Sequence, residues 1–385
     1  MKHFGYLWVG ILLLYSCNQS SSTFNGVDGL DITVDTVMIA TGDDIINLKW
    51  GIYQSGISHD KKYLFISGGT SPYLERINLE TLAYEEKMIF DVEGPNGFGD
   101  YVYAVSSDVN NNLILTSHYS TSIFNFDKQK LKKYLLIGRN FKGEQLIKRE
   151  QFTSKIIPSK DYKTTFGLIQ NHDTGEIFFA IVNEETDVLR KVKLNGFEKA
   201  EDFTVRHQQG RGASISPQNT EIVQLGNKLV ITNPVFSKIA VYDLVEQNLK
   251  YYPCLPTLTA SEKTGTYIKD VNSREEFTIR KIEIGKEVTF LPLMTEATTD
   301  KYVRISTIGL PKLNDKGLPE MNDHKVYISI LNDSFEVIKE TEVPDGIGKL
   351  FSNPIPQKPF LKDGKIWLYL NIQDELAFVR LDLGL

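Results

Sequence analysis

A unit of short strand-type runs recurs along the sequence, and this repetition constrains the fold more than any other feature. In the first copy a polar turn at 58–60 precedes runs at 63–66, 76–79 and 86–90. Runs rich in Val, Ile, Tyr, Phe and Thr, bounded by Gly, Asn, Asp and Pro, are typical of β-strands. Repeated units that cannot bury a core alone must pack against their neighbours. The pattern therefore predicts an all-β chain.

Five further copies follow, and the last one is a strand short. It contains runs at 359–361, 366–369 and 377–381, whereas an unassigned run, Ile32–Ile39, lies at the other end of the chain. Pairing these two ends would remove an exposed sheet edge. We therefore predict a six-bladed β-propeller of four-stranded blades, closed by an N-terminal strand completing the last blade. Seven blades are the alternative if residues 257–288 contain further strands.

Three local assignments are tested below. Strands of the third copy are predicted at 166–169, 177–180, 190–194 and 203–205. Residues Ser273–Lys286 are the best candidate for a helix, although their pattern alternates in places. Leu310–Asp323 is predicted to be a long loop inserted into the fifth copy. Cys254 is interpreted as a small buried apolar residue rather than a nucleophile.

The first residues have the pattern of an export signal rather than of a folded domain. Phe4–Tyr15 is an apolar run, too short for a membrane span of about 20 residues and typical of a secretory signal. It ends at Cys17 in a motif that resembles the lipobox, in which the cysteine is acylated. We predict a lipoprotein signal peptide at 1–16, a lipidated tether at 17–30 and the propeller domain at 31–385.

These features together resemble one known family. The lipobox, the Ser/His-Asp turns, the Glu93–Gly97 junction and the closing strand look like a family of Bacteroidetes lipoproteins. That family is defined by a domain of unknown function and is grouped with six-bladed β-propellers. The resemblance covers residues 17–385 and implies export and architecture, but it supplies no catalytic residues.

Composition and motifs exclude several functions. The formal net charge of −6 opposes a nucleic-acid partner, which usually needs a basic face. Nucleophile-elbow, zinc-protease and phosphate-loop signatures do not occur in the sequence. Asp108–Asn112 resembles a calcium loop only faintly, because Leu113 and Tyr119 replace the expected Gly and Glu. We predict no catalytic residue, no metal and no cofactor.

Propeller topology nominates ligand-binding residues. Junctions between blades and loops between second and third strands meet at one end of the ring, whereas His172 is predicted in a turn on the opposite face. Aromatic rings and guanidinium groups there suit a glycan or a peptide carboxylate. The candidates are Tyr73, Glu93, Asn96, His118, Tyr119, Arg149, His207, Arg211, Asn233 and Phe236.

The predicted function is that of a membrane-anchored module of the bacterial cell envelope that binds a glycan, peptide or protein ligand. The alternative is a hydrolase or lyase acting at the mouth of the channel. Because residues 18–22 carry no acidic side chain, we expect a lipid anchor in the outer membrane that faces the periplasm rather than the cell surface.

Overall fold

The computed structural model describes most of the chain as antiparallel β-sheet. The described residues are 22–25, 31–69, 71–99, 101–117, 120–135, 138–210, 212–296, 301–352 and 356–385. The signal peptide and Cys17 lie outside them. Within these ranges, no helix is long and apolar enough to span a membrane.

The chain begins with two paired strands and continues with two four-stranded meanders. The opening pair is β1 (Ser22–Asn25) and β2 (Asp31–Met38). The first meander contains β3 (Gly56–Ile57), β4 (Tyr63–Ser67), β5 (Tyr73–Asn78) and β6 (Ala83–Ile89). The second contains β7 (Ala104–Ser107), β8 (Leu113–Thr116), β9 (Ser120–Phe124) and β10 (Lys130–Leu135).

The third meander corrects the sequence assignment. Its sheet consists of β11 (Lys142–Gly143), β12 (Glu150–Pro158), β13 (Thr164–Asn171), β14 (Ile177–Asn183) and β15 (Val188–Lys193). The sequence analysis missed β12, which is the first strand of the meander, and wrongly assigned 203–205 as the last. Those residues instead end a 3-10 helix, Phe197–Phe203, and open a hairpin of β16 (Val205–Gln209) and β17 (Gly212–Ser216).

The fourth meander is followed by the helix that the sequence predicted. Its strands are β18 (Glu221–Leu225), β19 (Lys228–Asn233), β20 (Phe236–Asp243) and β21 (Asn248–Tyr252). The two-residue strand β22 (Asp270–Val271) pairs with β16. Helix α1 (Arg274–Gly285) then begins after Ser273, whose hydroxyl oxygen accepts a hydrogen bond from the Glu276 amide at 3.1 Å. Residues 257–288 thus hold a short strand and a helix rather than another meander.

The fifth meander has two unusually long strands. Its members are β23 (Thr289–Phe290), β24 (Met294–Thr295), β25 (Tyr302–Leu313), β26 (Pro319–Leu331) and β27 (Val337–Glu342). The predicted loop at Leu310–Asp323 is wrong, because β25 and β26 stay paired out to Leu313 and Pro319. A second 3-10 helix, Ile347–Ser352, follows.

The two ends of the chain share the last sheet. Strands β28 (Phe360–Lys362), β29 (Lys365–Ile372) and β30 (Glu375–Asp382) form three quarters of a meander. Strand β2 supplies the fourth strand, antiparallel to β30 from Thr33–Asp382 to Met38–Ala377. This pairing confirms the predicted contact between the N-terminal strand and the last repeat.

A bidentate ion pair joins these two strands. The guanidinium of Arg380 donates to both carboxylate oxygens of Asp35, at 2.7 and 2.5 Å, and lies over the ring of Trp367. This hydrogen-bonded guanidinium lowers the pKa of the Asp35 carboxyl, against an opposing effect of burial. Ile32 and Val37 of β2 are almost fully buried and lie on opposite faces of the strand, where they pack in two different core clusters. Apolar burial and a specific charge pair therefore both stabilise the closure.

We predict that Arg380→Met lowers the free energy of unfolding by about 1–3 kcal/mol, because it leaves a half-buried carboxylate without its charged partner. Urea denaturation at neutral pH measures the loss. Because the pKa of Asp35 in the folded protein is lower than its ordinary value of 3.8, the ion pair stabilises the fold fully above pH 3.8. This stabilisation is lost as the pH falls through the lower pKa of the folded protein. The difference between the two proteins should therefore shrink in acid.

Lys163→Met is the matched control, because the Lys163–Glu185 pair at 2.8 Å has both side chains 58% exposed. Such a pair contributes at most about 1 kcal/mol. Equal losses in the two variants would contradict the importance of the Arg380 pair.

Candidate functional site

Polar side chains on or just before the first strands of five meanders form one cluster. The set, here called the first-strand cluster, consists of Tyr53, Gln54, Tyr101, Tyr103, Lys155, Glu221 and Lys358. These residues precede β3, β7 and β28 or lie in β12 and β18. They are far apart in sequence, so only the packing of the sheets brings them together.

Direct contacts tie the cluster together in pairs. The Gln54 side-chain amide donates to the Tyr101 hydroxyl at 3.0 Å, linking the first and second meanders. The Lys155 ammonium lies 3.9 Å from a carboxylate oxygen of Glu221, linking the third and fourth. Lys358, from the last sheet, donates to the backbone carbonyl of Ser55, just before β3. Together, these three contacts involve the first strands of five sheets or the residues just before them.

A β-bulge positions Lys155. Phe152 pairs with Ile169 and Ile156 pairs with Gly167, so residues 153–155 of β12 lie opposite a single residue of β13. Bulges bend a strand and redirect its side chains, and they are common beside functional sites. The Lys155 and Glu221 side chains are 39% and 49% exposed, so their ion pair is weak and leaves Lys155 able to bind another anion.

Protein atoms surround the ammonium group of Lys358. The residue as a whole is nevertheless exposed to solvent. Loss of hydration and, to a smaller extent, the like charge of Lys155 lower its pKa to about 8, whereas Glu221 opposes both effects. A substantial fraction of Lys358 is therefore neutral at slightly alkaline pH.

Tyr53 and Gln54 supply hydrogen-bonding groups beside these charges. Desolvation, with contributions from Tyr103 and Glu221, raises the pKa of Tyr53, so its hydroxyl stays protonated. The Oε1 atom of Gln54 is buried and has no hydrogen-bond donor among the residues that the structure describes. This oxygen is enclosed by protein, so the hydrogen-bonding groups that the cluster presents to solvent are those of exposed residues such as Tyr53 and Glu221.

The family model described as Domain of unknown function (DUF4221) matches residues 29–342. The chain belongs to the DUF4221 family. A solved member of that family, from Bacteroides vulgatus, is 13% identical with a TM-score of 0.58, covering 90% of this chain and 98% of its own. That likeness shows a shared fold. No functionally curated protein matches the sequence.

Two other structural neighbours of the DUF4221 chain are more distant. The β-propeller domain of Cps50 (Swd1) from Myceliophteria thermophila is 8% identical, with a TM-score of 0.37 and coverage of 85% of this chain and 94% of its own. A gluconolactonase from Xanthomonas campestris is 8% identical, with a TM-score of 0.39 and coverage of 94% and 97%. Both scores are too low to support any inference about function.

Four of the residues nominated from the sequence lie near the surface of this DUF4221 chain. Tyr73 opens β5 and lies beneath the Lys87 ammonium, beside a cavity of about 480 Å³. The Asn96 side chain accepts from the Lys130 amide at the start of β10, and Glu93 is exposed in the same junction. Arg149 pairs with Asp173 at 2.9 Å in solvent. None of the four has a contact with the first-strand cluster within the described part of the chain.

Three other nominated residues are buried and engaged in structural contacts. His207 is 7% exposed, and its Nδ1 lies 3.2 Å from the Val271 carbonyl. The Asn233 amide donates to Thr220, and Phe236 packs in the core. His118, Tyr119 and Arg211 lie outside the described residues. A ligand-binding role for the nominated set stays a prediction.

Because the third meander begins at β12, His172 lies in a different turn from the one predicted. This residue lies in the turn between β13 and β14, the second and third strands, rather than between the first two. Asp108, the first residue of the faint calcium motif, closes the turn between β7 and β8 by accepting from the amides of Asn110 and Asn112. Among the described residues, no group of three or more His, Cys, Asp or Glu side chains is placed to hold a metal.

A second cavity, of about 870 Å³, separates α1 from the β25–β26 hairpin. His324 lines it, with Nδ1 3.0 Å from the Ser352 hydroxyl, and burial lowers the pKa of this imidazole. Arg274 and Lys281 face Glu275 and Glu320 across the same space. Its charges are balanced, in contrast to those of the first-strand cluster.

We predict that Lys358 is acylated preferentially by an amine-reactive ester at pH 8, because about half of its side chains are neutral there. Lys263 provides a matched comparison: its pKa is also about 8, but the residue is 0% exposed and should be protected. Peptide mass spectrometry after brief labelling measures both sites. Equal labelling of Lys358 and a fully exposed lysine such as Lys316 would contradict the lowered pKa.

Proposed function

We propose that this DUF4221 chain is a six-bladed β-propeller that binds a ligand at the mouth of its central channel, as a membrane-anchored module of the cell envelope. Six of the seven sheets in the described residues have four or five strands, and these six support the blade number. The pairing of β2 with β30 supports a ring closed by the two ends of the chain. The first strands would then surround the channel.

The observation that carries the proposal is the position of Lys358. Its ammonium contacts Ser55 before the first meander, and the charges of Lys155 and Glu221 in the third and fourth act on it. The position of this last-sheet side chain near groups of the first, third and fourth meanders supports an arrangement in which the first strands face a common axis. Binding sites are commonly formed by such convergent polar groups on a rigid scaffold.

Binding is favoured over the alternative of a hydrolase or lyase by the chemistry of the cluster. Glu221 is its single carboxylate among the described residues. General acid–base cleavage of glycans uses two carboxyl groups, and a calcium site uses six to eight oxygen ligands. Tyrosines and lysines around one carboxylate instead suit the recognition of a polar ligand.

We predict that the chain from residue 18 onwards binds members of a glycan or peptide array, and that Tyr53→Ala weakens this binding about tenfold, or 1.4 kcal/mol. Isothermal titration measures the change. Tyr251→Ala is the control, because Tyr251 is 38% exposed on β21, outside the cluster. Equal losses in both variants, or no binder on either array, would contradict binding at the cluster.

We further propose that Cys17 is acylated and anchors the propeller to the outer membrane, facing the periplasm. Cys17→Ala should move the protein from the detergent phase to the aqueous phase in a phase-partition experiment. Cys254→Ala should leave partitioning unchanged, because Cys254 is 4% exposed and burial raises the pKa of its thiol to about 11. If Cys17→Ala still partitions into the detergent phase, the lipid anchor is contradicted. If protease added to intact cells digests the protein, the periplasmic orientation is contradicted.

A further inference from the structure

We propose that the cavity of about 480 Å³ beside Tyr73 binds a free α-amino acid with an apolar side chain. The ammonium group of the ligand contacts Glu75, and its carboxylate contacts Lys87. Residues of the first meander and of the last sheet line this cavity, and none of them belongs to the first-strand cluster. The inference is therefore a second site, independent of the proposed function.

Glu75 and Lys87 lie directly opposite each other on β5 and β6. Side chains at such positions have Cβ atoms about 5 Å apart, and opposite charges there attract each other. The Lys87 ammonium instead lies 3.7 Å from the centre of the Tyr73 ring. It acts on Glu75 through its charge, without a hydrogen bond between them in the described part of the chain. Two opposite charges are therefore close together while each can still contact a ligand.

Glu75 forms the floor of the cavity. The residue is 3% exposed, and its Oε2 atom accepts a hydrogen bond from the Asn47 amide at 3.0 Å. Its Oε1 atom has no hydrogen-bond donor among the described residues and, unlike Oε1 of Gln54, keeps some access to solvent. Burial raises the pKa of this carboxyl, against the Asn47 hydrogen bond and the Lys87 charge. An ammonium group stabilises such a carboxylate, because it brings a positive charge and three donors.

The charges that line the cavity sum to zero. Lys49 and Asp374 line it together with Lys87 and Glu75, which gives two positive and two negative side chains. A ligand with a single charge would meet a like charge as well as an opposite one, whereas a zwitterion matches both. The ammonium and carboxylate groups of an α-amino acid share one carbon atom, which suits the short separation of Glu75 and Lys87.

The rim of the cavity is apolar on one side. Ile45 lines the cavity and is 88% exposed, and the half-exposed Trp50 ring lies 5.7 Å from the ammonium of Lys49, another lining residue. A ligand side chain that covers these groups removes apolar surface from water, which favours binding. The cavity volume lies in the range of small-molecule sites and accommodates a single amino acid.

Isothermal titration of the chain from residue 18 onwards tests the site. The probes are L-leucine, L-methionine and L-phenylalanine, with glycine and D-glucose for comparison. We expect at least one of the three apolar amino acids to bind saturably. Its N-acetyl derivative lacks the positive charge and its amide lacks the negative one, so each should bind at least tenfold more weakly. Glycine should also bind more weakly, because it has no side chain to cover Ile45.

Two variants locate the binding. Glu75→Gln and Lys87→Met should each weaken the tightest amino acid about tenfold. Lys132→Met is the matched control, because Lys132 lies over the Tyr134 ring on β10, the outer strand of the neighbouring meander, and does not line the cavity. It should bind as the wild type does. Lys87 is exposed, so its replacement tests the site even if Glu75→Gln impairs folding.

Each contrary outcome overturns a stated part of the inference. No binding by any of the three apolar amino acids, or equal affinity in the wild type and Lys87→Met, would overturn the site. An amide derivative that binds as tightly as its amino acid would make the ligand an amine and overturn the zwitterion. Binding of glucose without binding of amino acids would make the cavity a sugar site and overturn the ligand class.

Discussion

The pairing of β2 with β30 is the contact on which the rest of this structure depends. Without it, the last sheet would have three strands and an open edge along β30, which invites association with other chains. The Arg380–Asp35 pair joins residues separated by 345 positions, so the contact closes a very long loop. Loop-closure entropy grows slowly with length, and apolar burial in β2 offsets it. Such non-local pairing mainly slows folding.

The same packing creates the candidate site. The first strands β3 and β28 have only two and three residues, so polar residues just before them reach the place where the sheets meet. No single meander contains enough of these groups to bind a ligand. The site is therefore a property of the assembled sheets. A rigid scaffold that positions groups from several elements reduces the entropy that a ligand must overcome.

Periodicity explains what was predictable from the sequence. Aliphatic strands such as β8 and β29 and the closing strand have strong local patterns, so they were predicted correctly, and helix α1 lies where the sequence offered its best helical candidate despite an alternating pattern. Strand β12 was missed because its bulge interrupts the alternation. Lys155 and Lys358 were missed because an isolated lysine has no pattern that marks its neighbours in space. His207, which was predicted in a junction at the mouth, lies in β16 beside β22 and is 7% exposed.

Two lysines whose pKa is lowered to about 8 have different surroundings. Lys263 is fully buried, and its ammonium donates to the carbonyls of Ile284 and Glu287 and to the Thr289 hydroxyl, at 3.0, 3.2 and 2.9 Å. Its donors are all satisfied, so it ties the end of α1 to β23. Lys358 has a hydrogen bond to one carbonyl, a like charge nearby and access to solvent. Lys358 is therefore open to a solute, whereas Lys263 is enclosed and its three donors already have acceptors.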